Sequence, residues 1–293
     1  MVQALAAQPR STPIVTLISD ACRKILSDRA SLPSMPDVAA RIHDAMASPN
    51  WSISSVAAII KGDPGTTAYL LRVANNALYR GVTPIRDVEQ AVARLGMNST
   101  RNLLMAHALR AMFITRSPML NTLMRRSWHA SARLAALSTI AAIQIPKISP
   151  ERALLGGLLQ DIGVLPILHV LKQYQDQLTN EHAVMAAIAK FTPQVGVVVL
   201  QQWGFESDLI EIARSHGDWW RDAGPNPDLA DLVLLARLHA LIVAGTTDDL
   251  PRIDEVPAFA KFELGPLRGD SSYEFLHQQE ASVQAIQHAL GAD

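Results

Sequence analysis

Residues 154–168 read LLGGLLQDIGVLPIL, a run whose only polar side chains are Gln160 and Asp161. Its apolar character predicts buried helices over about 150–162 and 164–175, joined at the turn Asp161-Ile162-Gly163. The pair Gly156-Gly157 suits close helix packing better than phosphate binding, since no P-loop lysine follows. A carboxylate at the end of so apolar a helix is costly unless it is partnered. Asp161 is therefore expected to hydrogen-bond a nearby backbone group or an arginine.

Helical periodicity extends outward from this run. VAARIHDAMA predicts a helix with Val38, Ile42, Ala45 and Met46 on one face. SISSVAAIIKGD begins with a capping serine and closes near a glycine. In DPGTTAYLLRVANNALY, Asp63 caps a helix with Pro64 in its first turn, and Tyr69, Leu70, Val73 and Ala77 share a side. Further helices are predicted at about 87–95, 98–114, 120–143, 181–190, 194–203, 207–216, 227–244 and 273–289. The β-branched run VGVVVL is flanked by helical pattern and reads as a buried helix. The expected fold class is all-α.

The 293 residues, 49% of them hydrophobic, suffice for one large domain or two ordinary ones. Formal net charge is −1, so any nucleic-acid or membrane affinity must come from a local patch. The lone Cys22 excludes an intrachain disulfide and any zinc site with several cysteine ligands, and fits a reducing compartment. No apolar run reaches the ~18 residues expected of a membrane span, and MVQALAAQPRSTP lacks the pattern of a secretory signal. A soluble, cytoplasmic protein without membrane association is the expectation.

Charge is unevenly placed. From Ala91 to Pro150 the chain carries Arg94, Arg101, Arg110, Arg116, Arg125, Arg126, Arg133 and Lys147 with no acidic residue. From Glu206 to Glu255, eleven acidic residues face four basic ones. The basic span is either a set of solvated helix edges or an anion- or partner-binding face, for which Arg101, Arg110, Arg125, Arg126 and Arg133 are the candidates.

Residues 32–105 carry Leu32-Pro33 with Pro36, Asp63-Pro64, Ala74-Asn75, Pro84-Ile85, Ala91-Val92 and Leu95-Gly96. In these features the sequence resembles the HDOD domain family. The resemblance continues through SWHASARLA, LLGGLLQDIGVL, QQWGF, ARSHGDWW and LADLVLLARLHA, so it covers roughly residues 30–245. It implies an HDOD-type helical bundle whose second half is related to HD and HD-GYP phosphohydrolases and whose members are mostly regulatory and non-catalytic. The expected organisation is an N-terminal helical extension over 1–30, an N-terminal HDOD subdomain over 31–117, an HD-like subdomain over 118–245, and a C-terminal extension over 246–293 with an amphipathic helix. SPMLN, around Pro118, is the expected joint.

The resemblance also implies where metal ligands would stand. An HD site needs a histidine, an adjacent His-Asp pair and a late aspartate together. Here the first position falls on Ala130, with His129 one residue and about 100° away. The pair is Gln160-Asp161, and the late aspartate is Arg237. The additional HD-GYP histidine falls near Thr192 or Pro193, and of a His-His pair His216 remains. Asp161 alone does not hold a catalytic metal, so no metal, cofactor or catalytic residue is expected, and Arg237 is expected within salt-bridge reach of Asp161.

The other candidates have plainer readings. His129, His169, His182, His216 and His239 lack metal-site spacing and suit core or surface positions. Trp128, Trp203, Trp219 and Trp220 suit packing, with the HGDWW corner partly exposed. Asn75 and Asn76 belong either to a functional face, with His216, or to a helix end pinned to the next loop.

The expected function is a non-enzymatic bacterial signalling module, without an attached output domain, that binds a partner protein or small regulatory ligand. A divergent metal-dependent phosphohydrolase of nucleotides or cyclic dinucleotides is the enzyme alternative. An arginine-mediated nucleotide or nucleic-acid binder is the third. The stripe Ile14, Leu17, Ile18, Cys22 and Ile25 and the amphipathic segment YEFLHQQEASVQAIQHAL each suit packing on the domain or on a second copy in a homodimer.

Overall fold

Helices begin where the sequence places capping residues. Ser52 and Ser55 exchange side-chain and backbone hydrogen bonds at the head of Ile53–Lys61. The Asp63 carboxylate accepts the Thr66 N–H at 2.8 Å, with Pro64 at the first helical position. Both satisfy N–H groups that a first helical turn leaves without partners.

The computed structural model describes residues 14–28, 32–47, 52–76, 79, 83–178, 180–245 and 250–292. Their α-helices are α1 (Ile14–Ser27), α2 (Asp37–Ala47), α3 (Ile53–Lys61), α4 (Pro64–Ala74), α5 (Val88–Leu95), α6 (Met97–Arg110), α7 (Pro118–Ile143) and α8 (Pro150–Leu159). There follow α9 (Val164–Leu171), α10 (Glu181–Ala189), α11 (Thr192–Gln202), α12 (Ser207–Arg214), α13 (Leu229–Ala244), α14 (Glu274–Gln278) and α15 (Glu280–Ala289). The only β feature among the described residues is an isolated antiparallel bridge, Leu267 with Tyr273. The fold is all-α, as the periodicity predicts.

Helix α7, 26 residues long, is the central rod, and α8, α13 and α15 pack along it. The glycine pair lets α8 settle onto it. A Cβ on Gly157 would stand 2.5 Å from the Ala135 Cα, and one on Gly156 would stand 2.6 Å from the Ile212 Cδ1. At the turn after α8, a Cβ on Gly163 would stand 2.2 Å from the Thr192 carbonyl oxygen. These approaches fix Gln160 and Asp161 between α7 and α11.

One continuous core runs from Ile18 and Ile25 in α1, through Leu103 and Leu137, to Leu168, Leu235 and Val283. It crosses the joint at Ser117-Pro118 without a break. Helix α1 buries Leu17, Ile18, Ala21, Cys22 and Ile25 against α9, α10 and α11, while Ile14 is only partly covered. Burial pushes the Cys22 thiol up to about 12, which leaves it unreactive. Helix α15 packs on α7. Both terminal stripes thus cover this chain's own second half.

Some boundaries differ from expectation. The segment 98–114 leaves α-geometry after Arg110, 164–175 tightens to a 3₁₀ turn after Leu171, and 273–289 breaks at Gln279. On α2 the buried residues are Ala39 and Ile42, with Val38 and Ala45 half-buried; the Met46 side chain and Ala77 lie outside the described residues. Contrary to the sequence reading, Pro150–Tyr174 is long and apolar enough to pass for a membrane span. It is broken at 160–163, and 83% of its most apolar window is buried inside the protein, as for a core helix pair.

Candidate functional site

Five helices and two turns surround a cavity of about 260 Å³ in the second half. Helix α7 contributes Arg126, Ser127 and Ala130, which share a face at one-turn spacing. The turn after α8 supplies Asp161, and α9 begins with Val164. Met185, Ile188 and Ala189 of α10 form an apolar wall beside Thr192, the first residue of α11. His216 enters from the turn after α12, and Arg237 from the middle of α13.

The charged residues at the floor hold one another. Arg237 Nη1 donates to Asp161 Oδ2 at 2.9 Å and to Gln160 Oε1 at 3.0 Å. His216 Nε2 donates to the other carboxylate oxygen, Oδ1, at 2.7 Å. The expected Asp161–Arg237 pair is therefore present. The His216 bond and the Gln160 bond were not foreseen, although His216 stood at a position the resemblance marks. Burial alone would raise the Asp161 carboxyl, but the charge of Arg237, then that of His216, outweighs it and holds the group well below the usual carboxylate range. A carboxylate held so low is a poor general base at neutral pH.

The positions implied by the resemblance do converge. Ala130, Asp161, Thr192, His216 and Arg237 all line the cavity, and the buried Gln160 lies behind it. His129 is not in the lining, as its rotation from Ala130 predicts. The donor set does not fit a divalent cation. Both Asp161 oxygens are engaged, the Gln160 carbonyl is engaged, and a guanidinium stands where a ligand carboxylate would be needed. Among the described residues no group of three or more His, Cys, Asp and Glu converges on a common point. The charged groups at the floor are thus engaged with one another, and the cavity presents shape, apolar surface and the remaining guanidinium donors.

The arginines of the basic span do not gather on one face. Arg101 pairs with Glu206 at 3.2 Å, Arg126 with Glu181 at 3.2 Å, and Arg133 binds Glu280 through two bonds of 2.9 and 3.2 Å. Arg110 packs beneath the turn at Gly291, and Arg125 is exposed. Only Arg126 of these five reaches the cavity. The acidic second half supplies the partners: Arg152 also binds Glu206 and Asp208.

Asn75 pins the end of α4 to the next loop. Its Nδ2 donates to the Leu71 and Ile85 carbonyls at 2.9 and 2.8 Å, and its Oδ1 accepts the Ile85 N–H at 2.8 Å. Asn76 lines a separate, mainly apolar cleft of about 370 Å³ between α4 and α15. Trp128 and Trp203 are buried, and the Trp203 indole donates to the Pro33 carbonyl at 2.9 Å; Trp220 is exposed. His169 and His182 are exposed, and His239 is buried.

Comparison with known proteins places this geometry in a family. The curated relative it matches is an uncharacterised protein of Treponema pallidum, 21% identical over 262 residues; the match covers 83% of this chain and spans about half, 49%, of that protein. A crystal structure from Shewanella amazonensis, whose name proposes a metal-dependent phosphohydrolase, superposes with a TM-score of 0.79 at 23% identity, covering 94% of this chain and 99% of the other. An HDOD domain protein of unknown function from Geobacter sulfurreducens superposes at 0.65 with 20% identity, covering 94% and 98%. At these identities the likeness shows the fold. The sequence profile of the HDOD domain matches residues 32–219, well over half of the chain. The protein belongs to the HDOD domain family.

Proposed function

We propose that the protein is a non-hydrolytic regulatory module of bacterial signal transduction, acting by binding a partner protein or a small regulatory ligand. One observation carries this reading: Asp161, the surviving residue of the HD set, has both oxygens bonded, to Arg237 and to His216. Metal-assisted hydrolysis requires a cation that lowers the pKa of a bound water, held by several ligands with an open position. Here a guanidinium already neutralises the only carboxylate at the floor. Such a scaffold keeps a shaped cavity and helical surfaces, which are sufficient for recognition.

Metal content by mass spectrometry, together with phosphodiesterase and phosphatase assays in added Mn²⁺ and Mg²⁺, tests the reading. The expected result is substoichiometric metal and no cleavage of bis-p-nitrophenyl phosphate, p-nitrophenyl phosphate or a cyclic dinucleotide above the rate without protein. Stoichiometric metal, with cleavage abolished by a chelator, would establish the phosphohydrolase alternative instead.

A further inference from the structure

The cavity between α7, α9, α10 and α13 is lined by both charged and apolar side chains. Arg237 uses Nη1 for Asp161 and Gln160, while Nε and Nη2 have no hydrogen-bond partner among the described residues. Its side chain keeps 19% of its surface exposed and lines the cavity. Arg126 stands in the same lining, 63% exposed, with one nitrogen on Glu181 at 3.2 Å. The lining also holds the apolar side chains of Val164, Met185 and Ile188. Each arginine has one carboxylate partner, Asp161 for Arg237 and Glu181, at the cavity's edge, for Arg126, so what the lining offers an anion is unused N–H donors rather than an excess of charge.

Guanidinium groups with unused N–H donors bind oxyanions in paired hydrogen bonds. The volume of about 260 Å³ is below the roughly 300–1,000 Å³ of drug-sized sites, so the ligand is compact. Ala130, exposed at the surface of α7, leaves space where a longer side chain would fill the cavity. We propose that this cavity binds a small organic oxyanion, a carboxylate or phosphate monoester on a compact apolar body, with the anionic group on Arg237 and Arg126 and the apolar body on Val164, Met185 and Ile188. This rests on the non-hydrolytic reading, because an anion docked here meets a guanidinium and no activated water.

Titration calorimetry and protein-observed NMR on the full chain, with benzoate, phenyl phosphate and neutral benzamide as probes of one shape, test it. At least one anion is expected to bind about tenfold or more tightly than benzamide, the size of a charge-assisted hydrogen bond. Preference for benzoate or for phenyl phosphate identifies the anionic group. Ala130→Phe, at an exposed position, is expected to abolish binding with an unchanged melting temperature. Arg126→Gln is expected to weaken the anion several-fold and leave benzamide unaffected. Arg237→Lys, which keeps the charge for Asp161 but loses the planar fork, is expected to weaken it further. Anions that bind no better than benzamide, or bind Ala130→Phe as well as wild type, overturn the proposal and leave the non-hydrolytic reading standing. Release of phenol from bound phenyl phosphate supports the anion site and overturns the non-hydrolytic reading.

Discussion

Helix α13 carries ionic clusters on two faces, and they differ in what surrounds them. At about 100° per residue, Asp231 and His239 lie about 80° apart around the helix, while Arg237 faces away from both. On the first face Asp231 is fully buried and accepts from Arg221 and from Lys261, at 3.0 Å from the latter; both of those side chains are 7% exposed. Arg221 also binds Asp228 at 2.6 Å. The connection between α12 and α13 and the segment 250–272 are thereby closed onto the helix. On the other face Asp161 and Arg237 retain 18% and 19% exposure, and both line the cavity. Each is an arginine-aspartate pair. The sealed one is a clasp, whereas the one that lines the cavity is the proposed anion site.

The clasp is where substitution should cost most. Asp231→Ala leaves two buried cations without their shared partner, and loss of one member of a buried ion pair costs about 3–5 kcal/mol. Urea unfolding should register that loss; a cost below about 1 kcal/mol would show that the cluster is not a clasp.

His239, on the same face, sharpens the contrast. It is buried, and its Nδ1 accepts the Tyr273 N–H at 3.1 Å, a bond that requires the neutral ring nitrogen. Burial first, then the charges of His277 and Arg133, bring it down to about 4, against the opposing pull of Asp270 and Glu280. Between about 6.5 and 4 the unfolded chain binds a proton that the folded chain refuses, so stability falls as pH falls through that window. The loss is about 3 kcal/mol at 1.36 kcal/mol per pH unit. His239→Gln should flatten this acid limb in urea titrations run from pH 7 to 4, and an unchanged slope would refute the assignment.

The cavity face should respond less. Arg237→Leu leaves Asp161 with His216 alone, and the partial exposure allows water to compensate, so about 1–3 kcal/mol is expected. The folded Asp161 carboxyl lies below its unfolded value, so the pair's contribution is complete above about pH 4 and disappears as pH falls through the folded value. The gap in stability between wild type and Arg237→Leu should therefore narrow below about pH 4. A gap constant from pH 7 to 3 would mean that the pair does not stabilise the fold.

Much of the fold is legible in the sequence because its cues are local. Serine and aspartate caps, Pro64, Pro118 and Pro150 at first helical turns, and Gly156-Gly157 each act within a few residues of where they stand. The Asp161–Arg237 pair was also legible, since a carboxylate in an apolar run needs a partner and the resemblance put Arg237 opposite. The segment 250–272 was not foreseen, because short 3₁₀ turns and a single bridge have no periodicity to detect. Nor was the fate of the basic span. Arg101, Arg126 and Arg133 find acids 55 to 147 residues away, and nothing local distinguishes a paired arginine from a free one.

Arg133 provides the smallest test, between the two faces of α13 in kind. It binds Glu280 through two nitrogens, joining α7 to α15, but the two side chains are 30% and 39% exposed. Geometry favours a strong pair, since a planar guanidinium matches a carboxylate through parallel bonds. Solvent weakens it, because exposed pairs contribute about 0.2–1 kcal/mol and are screened by salt. If burial rather than bond count separates clasp from ordinary surface contact, Arg133→Gln should cost less than about 1 kcal/mol, and that cost should shrink between 0.05 and 0.5 M salt while the Asp231→Ala cost does not. Equal salt sensitivity of the two variants would erase the distinction between them.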